Sequence, residues 1–179
     1  KVLGIPRLSK KWINYLHGSL DNNLKKFFTK KNLLLVIGKS TYLGNLEIEK
    51  KIISVIKLAE KYKYNIIIKN HPRNKLKIKK FINFSKKISI NESPYSISST
   101  LKYCDIVILT SKTGVCLESV FQNKVVIEYY KYGRSNLKNK VYEYKINNEL
   151  YSIYKYKNLA YSCEDNLSLH DFFYKINCN

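Results

Sequence analysis

The sequence contains no methionine, only three arginines, and no apolar run of the length that a membrane helix requires. A bilayer-spanning helix needs about 20 consecutive apolar residues, and the chain also opens without the apolar stretch of a secretory signal. We therefore expect any membrane association to be peripheral. Because the chain opens without methionine, in what reads as a connecting segment, we expect it to be a piece of a longer protein.

Acidic residues are scarce, with 13 Asp and Glu against 33 Lys and Arg, a net charge of +20. Such an excess is typical of nucleic-acid binding. Nucleic-acid sites, however, rely on the arginine fork, and arginine stands only at positions 7, 73 and 134, so we expect no nucleic-acid partner. The richness in Lys, Asn, Ile and Tyr favours codon bias as the cause and a solvated lysine surface as its result. A basic face toward an anionic membrane or a polyanionic glycan is the alternative.

The four cysteines show no CxxC spacing and no nearby pair of histidines. This spacing argues against zinc, and no cluster of carboxylates suggests another metal. Cys104 and Cys116 lie in apolar contexts. We expect them to be reduced core residues, which favours a cytoplasmic location.

Apolar runs alternate with helical patterns over most of the chain. Strands are predicted at residues 33–37, 64–69, 87–91, 105–109 and 125–128, and helices at 46–62, 75–84, 93–103 and 114–121. This alternation predicts an α/β fold with a mostly parallel, Rossmann-like sheet flanked by helices. Ser9 is expected to cap a first helix, and Ser93 to cap the helix that Pro94 begins. Weaker patterns predict strands at 142–146 and 160–163 and a terminal helix at 165–174.

One predicted strand ends in Lys69-Asn70-His71-Pro72-Arg73. Ligands of an open parallel sheet bind outside the carboxyl ends of its strands. Pro72 restricts His71 to an extended backbone, and Lys69 and Arg73 flank the imidazole with positive charge, so a phosphate here would form charge-assisted hydrogen bonds. We predict His71 as the catalytic residue and Lys69 and Arg73 as phosphate ligands. A loop histidine that caps a carbonyl is the alternative.

A second predicted strand ends in Ser111-Lys112-Thr113-Gly114. Hydroxyls and backbone N–H groups at a strand-to-helix turn form a ready anion site, which predicts these four residues as phosphate ligands. Glu118 lies one helical turn beyond Gly114 and is predicted to accept hydrogen bonds from a ribose. Plain helix capping by Ser111 or Thr113, with a solvated Glu118, is the alternative.

Two further signals are weaker. Gly38-Lys39-Ser40 resembles the end of a phosphate loop, but Leu33 stands where that motif needs its first glycine. Ligand contact by Ser40 or Thr41 stays open. Nine tyrosines between residues 129 and 161 could stack sugars or bases, although codon bias and half-buried strands explain them as well.

At these residues the chain resembles the C-terminal, donor-binding half of GT-B glycosyltransferases, above all bacterial capsule, polysialic acid and teichoic acid transferases. Those enzymes share a His-Pro motif and a later Ser/Thr motif, matched here by residues 69–72 and 111–113. The segments 101–107, 114–119 and 124–127 are similar too, and residues 4–7 resemble the linker that leaves the N-terminal half. Lys112 departs from the pattern, since relatives usually carry a small residue there.

The resemblance implies one half of a GT-B fold. Residues 1–30 would be an interdomain linker and first helix, 31–135 a nucleotide-donor-binding domain, and 136–179 its C-terminal extension. The implied function, as part of a longer enzyme, is metal-independent transfer of a sugar or glycerol phosphate in surface polysaccharide synthesis, with no cofactor beyond the nucleotide-activated donor. A glycan or lipid-linked acceptor, and a general base from a missing N-terminal half, would complete the reaction at the inner membrane face.

Two rival functions remain open. UDP-N-acetylglucosamine 2-epimerases share this fold, and an epimerase would interconvert UDP-sugars without an acceptor. A non-catalytic basic module would bind polyanions in a salt-sensitive way.

Overall fold

The computed structural model describes residues 8–18, 31–38, 45–72, 77, 79–131, 143–146 and 149–178. Its elements, in chain order, are α1 (Lys10–Gly18), β1 (Asn32–Val36), α2 (Asn45–Tyr62), β2 (Asn65–Lys69), α3 (Lys79–Ile82), β3 (Ile90–Glu92), α4 (Ile97–Leu101), β4 (Ile106–Leu109), α5 (Val115–Phe121), β5 (Val125–Glu128), β6 (Glu143–Ile146), β7 (Glu149–Ser152), α6 (Ile153–Tyr156), β8 (Tyr161–Ser162) and α7 (Asn166–Cys178).

Six strands form one parallel sheet in the order β3-β2-β1-β4-β5-β8. The central strand β1 pairs with β2 on one side and β4 on the other, so Val36 lies between Lys69 and Leu109. Strand order reverses between β1 and β4, and a sheet of this kind opens a crevice at such a reversal. The predicted Rossmann-like α/β fold is confirmed. Strands β6 and β7 form a separate antiparallel hairpin.

The core lies on both faces of this sheet. All five residues of β1 are buried, which explains why its sequence is apolar without interruption. Side chains alternate between the faces: Leu33 and Leu35 pack with α2 and α7, while Leu34 and Val36 pack with α4 and α5. Helix α1 packs against α4, on the second face.

The predicted start of α4 is wrong by three residues. The N-cap is Ser96, whose side chain accepts a hydrogen bond from the Ser99 N–H, and the helix ends at Leu101. Ser93, the predicted cap, instead pairs its hydroxyl with that of Thr100 at 2.7 Å. Its carbonyl accepts a hydrogen bond from Lys69, so residues 93–95 form a loop and not a helical turn.

Strand β3 also begins three residues later than predicted, at Ile90 and not at Lys87. Several other boundaries follow the sequence more closely. Ser9 caps α1, since its Oγ accepts a hydrogen bond from the Trp12 N–H at 3.2 Å. Predictions for residues 19–30, and for residues 75, 76 and 78 of the basic helix, lie outside the described residues. At the far end of the chain β8 joins the main sheet beside β5, and α7 packs against α2. Among the helices described, none combines the length and apolarity needed to cross a membrane.

Candidate functional site

The carboxyl ends of β2, β1 and β4 lie side by side. The N–H of Ile37 donates to the Lys69 carbonyl at 2.9 Å, and the N–H of Thr110 donates to the Val36 carbonyl at 3.1 Å. The N–H of Gly38 donates to the hydroxyl of Thr110 at 3.0 Å, and that hydroxyl donates to the Val36 carbonyl at 3.2 Å. These hydrogen bonds fix the backbone leaving β1 to both neighbouring strands, and the Thr110 side chain that takes part in them is fully buried.

Gly38 lies in direct contact with Ser111. A β-carbon at position 38 would stand 1.6 Å from the Ser111 Oγ and 2.4 Å from its Cβ. A residue with a side chain would therefore push the two strand ends apart. With glycine there, the Ser111 side chain packs directly on the Gly38 backbone, and these two residues form the floor of the crevice expected at the strand-order reversal between β1 and β4.

His71 and Ser111 lie on the same edge of the sheet, with β1 between their strands. Neighbouring strands are about 4.8 Å apart, so two strand spacings separate the two ends by about 10 Å. His71 is partly buried and Pro72 is exposed. The two predicted motifs therefore flank one crevice, whose floor is Gly38. Arg73, Ser40 and Thr41 lie outside the described residues.

Lys69 points toward the β3–α4 loop. Its ammonium donates to the Ser93 carbonyl at 3.1 Å and to the Tyr95 carbonyl at 2.5 Å. Desolvation by burial lowers the pKa of Lys69, and nearby Glu92 partly opposes this shift. These contacts make Lys69 a clamp on the loop, a role that the sequence did not indicate, and its phosphate-binding role stays a prediction.

The Ser111–Gly114 turn leads into α5. The Thr113 hydroxyl accepts a hydrogen bond from the Val115 N–H at 3.4 Å, and its carbonyl accepts one from the Cys116 N–H at 3.3 Å. Gly114 is the N-cap and has a right-handed helical backbone. Lys112 is exposed, while Ser111 and Thr113 are partly buried. Thr113 thus supports the helix start, and phosphate binding by this turn remains a prediction.

Glu118 faces α4 from the first turn of α5. Its Oε2 accepts a hydrogen bond from the Ser98 hydroxyl at 3.0 Å. Gln122, one turn further on, donates to the Ser98 carbonyl at 3.3 Å. Glu118 is half-buried, so it joins two helices beside the crevice. Its ribose contact stays a prediction.

A buried carboxylate ends β5, and the sequence reasoning missed it. Glu128 is fully buried and accepts hydrogen bonds from the hydroxyls of Tyr130, at 2.5 Å, and Ser152. Nearby, buried Lys51 donates to the Tyr129 carbonyl at 3.0 Å and lies 3.8 Å from the centre of its ring. The one available signal was an acidic residue closing an apolar strand. These contacts anchor the end of β5 to the β7–α6 junction and to α2.

The described cysteine thiols and acidic side chains indicate neither a reactive thiol in the core nor a metal site. Cys104, Cys116 and Cys163 are buried and unpaired, and Cys178 is exposed. Burial raises the pKa of Cys104 and Cys116 to about 12. Among the residues that the structure describes, no three His, Cys, Asp or Glu side chains are grouped to hold a metal ion.

No protein-family model and no characterised protein matches the sequence. The structure is similar to UDP-GlcNAc 2-epimerase from Methanocaldococcus jannaschii, solved with UDP-GlcNAc and UDP, with TM-score 0.60 and 18% identity over 94% of this chain and 45% of that one. It is also similar to WaaG, a glycosyltransferase involved in lipopolysaccharide biosynthesis, with TM-score 0.55 and 11% identity over 98% of this chain and 45% of that one. The chain thus spans about 45% of the length of both proteins and has the Rossmann-like fold of one half of a GT-B structure.

Proposed function

We propose that the chain is the sugar-nucleotide-binding domain of a GT-B enzyme, and that the crevice above Gly38 holds the phosphate groups of the donor. The observation that carries this proposal is the strand-order reversal between β1 and β4, where Gly38 lets the Ser111 side chain pack against the end of β1. His71 follows β2 on one side of β1, and the hydroxyls of Ser111 and Thr113 follow β4 on the other. The fold shared with an epimerase solved with UDP-GlcNAc and UDP supports the same placement.

The proposed chemistry stabilises a leaving phosphate. As the bond from sugar to phosphate breaks, negative charge grows on the phosphate oxygens, and donors already in place bind this charge more strongly than the ground state. His71 would donate from the β2 end, aided by Arg73, and Ser111 and Thr113 from the β4 end. Glu118 would hold the ribose. Lys69 contributes by fixing the loop beside His71.

Transfer to an acceptor is the first candidate reaction. The His-Pro and Ser/Thr motifs favour transfer of a sugar or glycerol phosphate in surface polysaccharide synthesis. The acceptor and a general base would come from the rest of a longer protein. We expect no divalent-metal requirement, because cationic and hydroxyl side chains supply the donors, so activity of the complete enzyme should survive EDTA.

Epimerisation is the second candidate, and the TM-score of 0.60 to an epimerase favours it. An epimerase converts a UDP-sugar to its isomer with no acceptor present. Product analysis of the complete enzyme with the donor alone, and then with an acceptor, separates the two reactions.

Titration of the 179-residue chain with UDP, CDP, CMP and GDP tests the site itself. Hydrogen bonds to charged groups contribute about 1.5–3 kcal/mol, so His71→Ala is expected to weaken the preferred nucleotide roughly 10- to 150-fold. His170→Ala is the matched control, because His170 lies on α7 and contacts Lys61. Equal affinities of wild type and His71→Ala would exclude the site assignment. Salt-sensitive binding of polyanions that survives this substitution would favour the non-catalytic basic module.

A further inference from the structure

The hydroxyl of Ser98 contacts Glu118, the residue that would hold the ribose of the donor. Ser98 lies in α4 and Glu118 in α5, 20 positions further along the chain, and the hydroxyl donates to the Glu118 Oε2 at 3.0 Å. Ser98 is 7% exposed, whereas Glu118 is half-buried. A buried hydroxyl thus holds a carboxylate that remains partly open to solvent beside the crevice.

The backbone that carries Ser98 is itself fixed. Ser96 caps α4 by accepting a hydrogen bond from the Ser99 N–H, and Leu101 at the end of the helix is fully buried. The loop before the cap is clamped by the two hydrogen bonds from Lys69, at the end of β2. The Ser98 hydroxyl therefore approaches Glu118 from a helix that is held at both ends.

A second contact joins the same two helices through the backbone of Ser98. The Gln122 side chain, on the far end of α5, donates to the Ser98 carbonyl at 3.3 Å. This hydrogen bond does not use the Ser98 side chain, so it can persist when the hydroxyl is removed. The two contacts can therefore be separated: the Gln122 contact joins the helices, and the hydroxyl contact also fixes the Glu118 carboxylate.

We propose that Ser98 is a positioning residue for ribose recognition, whose hydroxyl holds the Glu118 carboxylate in the conformer that accepts hydrogen bonds from the ribose hydroxyls. This role rests on the donor site proposed for the same crevice. Glutamate has several rotatable bonds, and ordering such a side chain on binding lowers the affinity for a ligand. A carboxylate can accept about four hydrogen bonds, so acceptance from Ser98 and from a ribose are compatible.

The affinity of a nucleotide relative to its 2′,3′-dideoxy analogue measures this role. The analogue keeps the base and the phosphates and lacks both ribose hydroxyls, so the ratio of the two affinities reports the ribose contact. UDP, or whichever nucleotide the titration selects, should bind wild type roughly 10- to 150-fold more tightly than its analogue. Ser98→Ala should reduce this ratio roughly 2- to 10-fold and leave the affinity for the analogue unchanged, because Glu118 must then be ordered on binding.

Three further variants separate positioning from packing. Ser98→Cys keeps the volume of the side chain but replaces a hydroxyl by a weak donor, so the ratio should fall as in Ser98→Ala. Gln122→Ala removes the other contact between the helices and should leave the ratio close to that of wild type. Glu118→Ala should abolish most of the ratio, and Ser98→Ala should then lower it no further, because Ser98 acts through Glu118. Circular dichroism melts verify that each variant is folded.

The outcomes distinguish this role from the donor site itself. An unchanged ratio in Ser98→Ala, an equal fall in Gln122→Ala, or an equal loss of both ligands in Ser98→Ala would overturn the positioning role, while the His71→Ala titration can still support the donor site. Equal affinity of wild type for the nucleotide and its analogue would overturn the ribose contact of Glu118 and the role of Ser98 together. Absence of nucleotide binding by wild type would overturn the donor site as well.

Discussion

Replacing Gly38 with alanine should force apart the ends of β1 and β4. The new methyl group would lie 1.6 Å from the Ser111 Oγ and 2.4 Å from the Ser111 Cβ. Rotation of the serine side chain can move its oxygen but not its β-carbon, so the backbones must separate by more than about 1 Å to reach ordinary contact. Overpacking of this kind costs about 1–3 kcal/mol, which we expect as the loss in free energy of unfolding.

A double-mutant cycle in urea denaturation isolates this contact. In the Ser111→Gly background both clashing atoms are gone, and the nearest remaining atom is the Cα of residue 111 at 3.4 Å. Gly38→Ala should then cost close to nothing, so the coupling free energy should recover most of the 1–3 kcal/mol. Gly114→Ala is the control, since its φ of −65° and ψ of −10° suit alanine.

Two results would refute this reasoning. The first is a Gly38→Ala variant as stable as wild type, and the second is an equal loss in the presence and absence of the Ser111 side chain. Nucleotide affinity measured on the same variants adds a functional readout. If the floor of the crevice holds the donor phosphates, Gly38→Ala should weaken nucleotide binding, and Gly114→Ala should do so less.

Three further predictions concern other contacts. Lys69→Met should cost about 1–3 kcal/mol and speed hydrogen exchange at residues 93–96, because two carbonyls lose their ammonium donor; unchanged exchange would exclude the clamp. Asp165→Ala should lower the urea midpoint at pH 7, since hydrogen bonds from Ser168 hold the pKa of Asp165 below its usual 3.8. The stability from these bonds is present above pH 3.8 and is lost as the pH falls through the lowered pKa of the folded state. The urea midpoints of wild type and Asp165→Ala should therefore converge in acid. A thiol reagent should modify Cys178 quickly and the three buried cysteines only on unfolding.

Much of the fold could be predicted from local patterns. The central strands β1, β4 and β5 are buried on both faces, so their sequences had to be apolar without interruption, and such runs are easily found. Helix α2 shows its apolar spacing over 18 residues. These elements lie within a residue or two of their predicted bounds because burial alone determines them.

The predicted boundaries were wrong where two local sequence signals were equally good and a tertiary contact decided between them. Ser93 and Ser96 are both good helix caps, and residues 93–95 are held in a loop by contacts that include those from Lys69, on a different strand. The hairpin of β6 and β7 was half missed because β7, unlike β6, lacks a clear alternation of apolar and polar residues. Contacts between residues that are far apart in the sequence cannot be derived from a local pattern.

The strand ends that carry the candidate site could be predicted, but their contacts could not. His71 and Ser111 follow strands that end at the same edge of one parallel sheet, and ligand binding there stays a prediction. Gly38 was noted only as part of a failed phosphate-loop match, and its packing against Ser111 depends on how β1 and β4 pair. Register across a sheet of sequence-distant strands cannot be derived from one strand at a time.

Hydrogen exchange of the chain with and without a saturating nucleotide tests the proposed donor site most directly. Binding in the crevice predicts slower exchange at residues 37–38, 70–71 and 111–115, the backbone that surrounds the floor at Gly38. It predicts no change at residues 10–15 and 122–124 on the opposite edge. Protection confined to that opposite edge, or nucleotide binding that leaves the amides of residues 38 and 111–115 unchanged, would contradict a donor site at the carboxyl ends of β1, β2 and β4.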